Sequence, residues 1–414
     1  MAEDRESQAW GGPLKGLRVV DLTRVLAGPF ASMNLGDLGA EILKIEQPGN
    51  GDETRRFAPF VGGESHYFLA LNRNKKSLVI DLRTSDGAAL LKQLVAKSDV
   101  LIENFRPGVM DRLGLSYDEL SAINPRLIYC AISGFGMSGP YKDRPAFDIV
   151  TQALTGVLSV NGLPDQPPVK LGLPLGDMVG GVFGPISILA ALHERSITGR
   201  GRLIDVSLFD GLTGMLGYLA QLALITGEDP RPVGSSHPTI VPYGSFRASD
   251  GDIIIAALSD AFWVKLCDAL ALPELGRDPE LKANVGRREH RKKINSAISD
   301  VIAQHSIRHW IEVLSKHDIP HAPVLGVTAA LTQPHAVARE MVTTVEHPTA
   351  GALKIVGRPV KFPGMRQTPI SPPPTLGQHT TEVLKGLLAL SDDEVDRLRS
   401  AGIIDRRDGE GTRG

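Results

Sequence analysis

LRVVDLTRVLAGPFASMNLGDLGAEILKIE, residues 17–46, holds two short apolar runs on either side of a stretch of helical character. LRVVDLT (17–23) and EILKIE (41–46) read as strands, and AGPFASMNLGDLGA between them reads as a turn into a helix with Pro29 at its first position. The unit is β-α-β. Two further rounds follow: SLVIDL, the helix SDGAALLKQLVAKS and the strand DVLIENF, then one helix through MDRLGLSYDELSAIN to the strand LIYCAIS. Strands separated by helical patterns predict an α/β protein with a Rossmann-like, doubly wound parallel sheet, and ligands at the carboxyl ends of its strands. The nicotinamide and flavin fingerprint is missing, although Glu46 stands where a ribose-binding acid would. The first turn is RVLAGP rather than G-x-G-x-x-G, and the match at 134–139, GFGMSG, runs into PYKDRP, which cannot open a regular helix.

Outward from this unit, a chain of 414 residues exceeds the ~250–300 at which one core stops growing, which predicts two domains. From 147 to 227 come three largely uncharged helical patterns: FDIVTQALTGVLSV, the helix after Asp177, and VSLFDGLTGMLGYLAQLALITG. Helices apolar on most sides are buried by protein, and these exceed what one domain face covers, so a subunit interface is expected. The strand GDIIIAAL and charged amphipathic helices from about 260 to 317 then mark a smaller, more solvated domain. HPTAGALKIVGRPVKF gives two short strands, TPISPPPTLG a tether to terminal helices, and RRDGEGTRG a disordered end.

A net charge of −2 leaves no basic footprint for nucleic acid. Cys130 and Cys267 form no disulfide framework, no histidine pair stands at metal-ligand spacing, and no metal site is predicted. MAEDRESQAWGG lacks the marks of a secretory or transit peptide, so a cytoplasmic protein is expected. Charge-free runs such as GLTGMLGYLAQLALITG are too short for membrane spans.

Within PVKLGLPLGDMVGGVFGP (168–185) one acid, Asp177, stands among Gly176, Gly180, Gly181 and Gly184 with no neighbouring charge. Two readings fit. Asp177 caps the helix it opens, or it is a functional carboxylate in the positive end of the helix dipole, with glycines admitting a substrate and spare N–H groups holding an oxyanion. Basic residues gather at the strand ends: Arg24, Arg73, Lys75, Lys76, Arg83, Arg106 and Arg112. Singly each reads as a solvated charge. Together they fit a phosphorylated, nucleotide-like ligand.

DLTRVLAGPFASMNLGDLGAEILKIEQPGNGDETR, LNRNKKSLVIDL, ENFRPGVMDRLGL, HPTAGALKIVGRPVKF, LGQHTTEVL and SAGIID resemble the class III CoA-transferases of the formyl-CoA and carnitine type, over nearly the whole chain. The resemblance implies coenzyme A thioesters as substrates, with no permanently bound cofactor. It implies a covalent aspartyl-CoA thioester on Asp177, with succinyl-CoA as donor and a small dicarboxylate as acceptor. It places CoA contacts at Leu26, Ala27, Ile80, Asp81, Leu82, Arg83, Asn104, Phe105, Arg106 and Arg112; Arg73, Lys75 and Arg83 are expected to share the phosphate contacts, and Arg24, also counted among the CoA contacts, and Arg73 are candidates to pair a distal carboxylate of the acceptor. Phe147, Asp148, Gly176, Gly180 and Gly181 fall on the substrate side. Leu26, Gln47 and Phe147 depart from the formyl-CoA pattern of Gln, Arg and Tyr, and that enzyme's tetraglycine loop is missing. The implied fold is an interlocked homodimer. Its large Rossmann-like domain, 1–228 and 326–414, is built from both chain ends, and 229–325 form a small α+β domain. An α-methylacyl-CoA racemase shares this fold but pairs its aspartate with a histidine, where this chain has Ala146-Phe147-Asp148. A non-catalytic CoA-binding protein is the third reading.

Overall fold

The computed structural model describes residues 11–364 and 369–404, so the expectation of disorder at 406–414 lies outside the described residues. The first unit follows the β-α-β reading: β1 (Arg18–Asp21), α1 (Ala27–Asp37), β2 (Glu41–Glu46), β3 (Lys75–Val79), α2 (Ser85–Ala96), β4 (Val100–Glu103), α3 (Val109–Arg112), α4 (Tyr117–Ile123), β5 (Ile128–Ser133), α5 (Asp148–Leu154), α6 (Leu175–Thr198), β6 (Leu203–Ser207), α7 (Leu208–Met215) and α8 (Tyr218–Thr226). Six parallel strands pair in the order β3-β2-β1-β4-β5-β6. The winding reverses between β1 and β4, and in doubly wound sheets the crevice at that reversal is where ligands bind.

Both faces of the sheet are covered, which is why its strands read as nearly continuous apolar runs. Val19, Ile42, Val100, Ile102 and Cys130 face α1 and α6, meeting Ala31, Leu35 and Ile188. Their neighbours Val20, Leu43 and Leu101 face the opposite way, onto Leu90, Leu91 and Leu94 of α2 and onto residues from the C-terminal end of the chain. The period of two along each strand sorts these sets without further information.

Five expectations change. Val206 and Ser207, expected to open a helix, instead end the edge strand β6, because Leu203 to Ser207 pair in register with Tyr129 to Ser133. The helix expected over 110–124 is two helices divided at Gly114, whose φ is +66°. Gly156 (φ +82°) ends the helix expected over 147–160, and a 77° bend at Gly217 separates α7 from α8. Pro29 is the third residue of α1 rather than its first. By length and composition α6 is apolar enough to cross a bilayer. One of its faces is nevertheless closed by α1 and β5, and Arg195 near its end donates to Asp99 Oδ1 at 2.9 Å and the Arg126 carbonyl at 3.1 Å.

A second compact unit comprises 158–169 and 228–337, so it takes in two stretches, 158–169 and 326–337, that the sequence reading gave to the larger domain. It contains β7 (Tyr243–Ala248), β8 (Gly251–Ala256) and β9 (His321–Pro323) in one antiparallel sheet. α9 (Asp260–Ala269), α10 (Arg291–Ile302) and α11 (Ile307–Lys316) pack on it through Trp263, Leu266, Ile294, Ile298 and Trp310. The chain then returns to the first unit with the hairpin β10 (Val342–His347) and β11 (Gly351–Val356), followed by α12 (Thr380–Leu388) and α13 (Asp392–Ser400). The return is fixed by hydrogen bonds, His379 N–H to the Ser77 carbonyl at 3.0 Å and Val79 N–H to Thr380 Oγ1 at 3.0 Å. Leu384 and Leu398 are buried in the same core as α2, each contributing roughly 1.5–3 kcal/mol.

Candidate active site

The loops leaving β1 and β4 are stapled to each other at the reversal point. Asn104 Oδ1 accepts the Arg24 N–H at 2.8 Å while Asn104 Nδ2 donates to the Arg24 carbonyl at 2.8 Å. The Arg24 guanidinium lies 5.0 Å from the Phe105 ring centroid and 3.5 Å from Glu53. The next residue, Val25, has φ +66°, a left-handed conformation that a β-branched side chain strongly disfavours.

A buried ionic network holds it there. Lys44 Nζ donates to the Thr23 carbonyl at 2.8 Å and to Asp52 Oδ2 at 3.0 Å, and Asp52 Oδ1 accepts the Val25 N–H at 3.3 Å. Beneath it Arg55 forks onto Glu46 at 2.7 and 2.8 Å, and Glu46 Oε2 accepts the Asp52 N–H at 3.0 Å. Burial opposes ionisation of Asp52, but the Lys44 ammonium and the Thr54 N–H outweigh it and hold the carboxyl well below the usual range. α1 therefore starts at a fixed place. It opens on Leu26 and Ala27 with no side-chain cap, so its first-turn N–H groups have no intrahelical acceptor.

Asp177 stands in the first turn of α6 but does not cap it. Asp148 takes that role: its Oδ1 accepts the Gly176 N–H at 2.7 Å and its Oδ2 accepts Gln152 Nε2 at 2.7 Å. The half-buried Asp177 carboxyl accepts no hydrogen bond among the described residues. Burial, and then the charge of Asp148, push it up to about 7. Tyr67 is near enough to feel the same charges, and burial together with Asp177 raises its phenol above the ordinary value. The cap reading of Asp177 is thus excluded by the residue that does the capping.

Asp177 lines a cavity of about 210 Å³ that it shares with Leu26, Ala27, Asn104, Phe147 and Asp148. A neighbouring cavity of about 370 Å³ is lined by Ile80, Asp81, Leu82 and Arg83. Arg24, Phe105 and Arg106 line both, so the two form one path along the carboxyl ends of the strands. Arg83 is itself tied to Asp81, by bonds of 2.8 and 2.7 Å.

Other expected contacts are corrected. Arg73 is buried and forks onto Asp37 at 2.9 and 2.6 Å. Lys75 is buried against Asp21, the Pro29 carbonyl and Asn72, and burial pushes its ammonium down to about 8. Both cations neutralise internal carboxylates and face neither cavity. Arg112 differs from these two: it lines neither cavity, but it is exposed and stands between Val109 and Leu113, which line the larger one, so its expected contact is not overturned. Gly180 and Gly181 are packing residues rather than substrate contacts: a Cβ on Gly180 would stand 2.4 Å from Leu208 Cδ2, and one on Gly181 2.6 Å from Phe30 Cδ1 and 2.9 Å from the Ala27 carbonyl. Their absent side chains let α6 approach α1 and α7 closely. Gly176 serves the approach of α5, and its N–H, being bonded to Asp148, is not an oxyanion donor. Sequence reasoning missed Phe135, Lys142 and Arg144, which also line the Asp177 cavity. Their signal was GFGMSG with the PYKDRP that follows it, weighed only as a failed dinucleotide fingerprint. Among the described residues no cluster of metal-ligating side chains is present.

The model of CoA-transferase family III matches residues 14–380. The chain is 36% identical over 397 residues to succinyl-CoA:glutarate CoA-transferase of Homo sapiens, covering 96% of this chain and 91% of that protein. It is 42% identical over 354 residues to acetyl-CoA:oxalate CoA-transferase of Acetobacter aceti, covering 85% and 90%. The crystal structure of a CAIB/BAIF family protein from Brucella suis superposes with a TM-score of 0.82 at 36% identity, covering 91% of this chain and 99% of that one.

Proposed function

This chain belongs to CoA-transferase family III, and from that premise we propose that it moves CoA from succinyl-CoA to a small dicarboxylic acid through a thioester on Asp177. The observation that carries the proposal is a half-buried carboxyl that accepts no hydrogen bond among the described residues and lines a small cavity, which shares Arg24, Phe105 and Arg106 with a larger one. The longer cavity suits the nucleotide and pantetheine arm, with Arg24 and Arg106 at the junction. The small one suits the acyl group. Relatives named for succinyl-CoA, glutarate, mesaconate and D-citramalate support the choice of acids.

The chemistry needs no cofactor. An Asp177 oxygen attacks the thioester carbonyl carbon, the C–S bond breaks, and a mixed anhydride and CoA thiolate result. The thiolate attacks Asp177 Cγ and expels the donor acid, leaving aspartyl-CoA. A carboxylate oxygen of the acceptor attacks Cγ, releasing the thiolate and forming a second anhydride. The thiolate then attacks the acyl carbon, which frees the new acyl-CoA and restores the Asp177 carboxylate. The N–H groups at the start of α1 are the donors offered to each oxyanion. Holding nucleophile and thioester together is worth effective molarities of ~10⁵–10⁸ M.

Purified protein given succinyl-CoA and labelled glutarate is expected to form glutaryl-CoA with ping-pong kinetics. An acceptor profile confined to long fatty or aromatic acids, or exchange of the α-proton without transfer, would defeat the proposal.

The subunit arrangement is proposed as an interlocked homodimer. Support comes from large apolar side chains left exposed on α6, α7 and α8, among them Ile186, Met215, Tyr218, Leu224 and Ile225, more than a monomer ordinarily shows to water. Sedimentation at nanomolar concentration is expected to give a dimer. A monomer there would contradict it.

A further inference from the structure

The connection from β5 to α5 is built more tightly than a surface loop requires. Its neck closes where Gly134 meets Ala146, since a Cβ on Gly134 would stand 2.1 Å from Ala146 Cβ. Inside it the Gly136 N–H donates to Ser133 Oγ at 3.0 Å, the Met137 N–H to Asp205 Oδ2 at 2.9 Å, and the Arg144 N–H to the Tyr141 carbonyl at 2.9 Å. Gly136 and Gly139 take φ values of +81° and +83°, so this G-x-G-x-x-G match shapes a turn.

What the turn carries is an aromatic ladder ending in a cation. The Phe209 and Phe135 ring centroids lie 6.3 Å apart, Phe135 and Tyr141 5.6 Å apart, and the Arg144 guanidinium sits 4.1 Å over the Tyr141 ring. A stacked guanidinium keeps its N–H fork free in the ring plane, with little rotamer entropy left to lose on binding.

The basic residues of the site divide by cavity. Arg24 and Arg106 line both cavities, and Arg83 lines only the one away from Asp177. Lys142 and Arg144 line the Asp177 cavity alone, and neither has a carboxylate partner among the described residues. At about 210 Å³ that cavity is below the ~300–1,000 Å³ of pockets for drug-sized ligands, so it suits a short acid. An acyl group reacting at Asp177 and turned away from the CoA path sends its far end toward these two cations. A monocarboxylic acid has nothing to offer them.

Resting on the function proposed above, we infer that Arg144, with Lys142 beside it, anchors the far carboxylate of a short dicarboxylic acyl group and so sets the preference for diacids. Asp143 lies between the two in sequence but lines neither cavity.

The test compares glutarate with butyrate as acceptors, using acetyl-CoA as the donor so that only the acceptor carries a second carboxylate. In Arg144→Gln the ratio of kcat/KM for glutarate to that for butyrate is expected to fall roughly 10- to 100-fold, the loss of one charged, forked hydrogen-bond pair. Arg144→Lys, which keeps the charge without the fork, is expected to restore part of the ratio, and Lys142→Gln to lower it less than Arg144→Gln. An unchanged ratio in Arg144→Gln overturns the inference. If both acids lose rate equally, the loop serves CoA or the scaffold; if neither changes, the cations are solvated surface charges. Wild-type protein that transfers CoA to glutarate from neither acetyl-CoA nor succinyl-CoA overturns the functional proposal itself, a result the variants cannot mimic.

Discussion

Asp177→Asn is expected to fold, keep the wild-type sedimentation and bind CoA, but to transfer CoA at least about 10⁴-fold more slowly, the scale on which enzymes lose rate when their covalent nucleophile is removed. The substitution keeps shape and volume and removes only the charged oxygen. Among the described residues it breaks no side-chain hydrogen bond, since the α6 cap belongs to Asp148. Wild-type protein incubated with succinyl-CoA and then hydroxylamine should carry a hydroxamate on the Asp177 peptide, and the variant should not. Near-normal turnover in the variant with an unmodified wild-type peptide would end the covalent mechanism.

The raised value of Asp177 adds two pH signatures. In the proposed mechanism the nucleophile is the carboxylate, so kcat/KM with the free enzyme is expected to rise with pH through about 7 and level above it. Stability runs the other way. The folded chain holds this proton up to about 7 while the unfolded chain releases it near 3.8, so the folded state binds more protons between those values. The Asp177 contribution is therefore fully present below 3.8 and is lost as pH rises through 7. At pH 8 the variant is expected to melt at or above the wild-type temperature, and a clearly lower melting point would show that Asp177 has a structural partner.

Lys44→Met is expected to give the largest loss of stability, about 3–5 kcal/mol, because it leaves the Asp52 carboxylate buried with its cation gone. Methionine keeps the length of the side chain, so little of the loss is packing. Replacing Asp52 with Asn as well removes the stranded charge, and the double variant is expected to recover a large part of the loss in a double-mutant cycle. Single variants within about 0.5 kcal/mol of wild type would show the pair to be inconsequential. Asp52 is held below its ordinary value, so its share of stability is present above 3.8 and is lost as pH falls below that. Lys44 is held above its ordinary value, so its share is complete below 10.5 and fades at higher pH. The same variant should also slow transfer, since Lys44 and Asp52 bond the two residues, Thr23 and Val25, that lead into α1.

The amino-acid sequence by itself determined the parallel sheet and the two faces its strands bury. Val19 and Val20, or Ile42 and Leu43, alternate between two cores because side chains on a strand alternate, and that pattern is written in a few adjacent residues. The departure of RVLAGP from the dinucleotide fingerprint and the isolation of Asp177 are equally local. Only the tertiary structure decided which charges are available. Lys75 meets Asp21 from 54 positions away, and Arg73 meets Asp37 from 36, so two cations that look free along the chain are spent inside it. The glycines after Asp177 look like an opening for substrate but are the contact of α6 with α1 and α7, and the cap of α6 comes from Asp148, 28 positions before Gly176. Hydrophobic period is a property of neighbours in sequence, whereas the partner of a charge is a property of neighbours in space. For that reason the turn at 134–146, which reads only as a failed dinucleotide fingerprint, becomes legible when folding brings Phe209, Phe135 and Tyr141 under Arg144, at the edge of the Asp177 cavity.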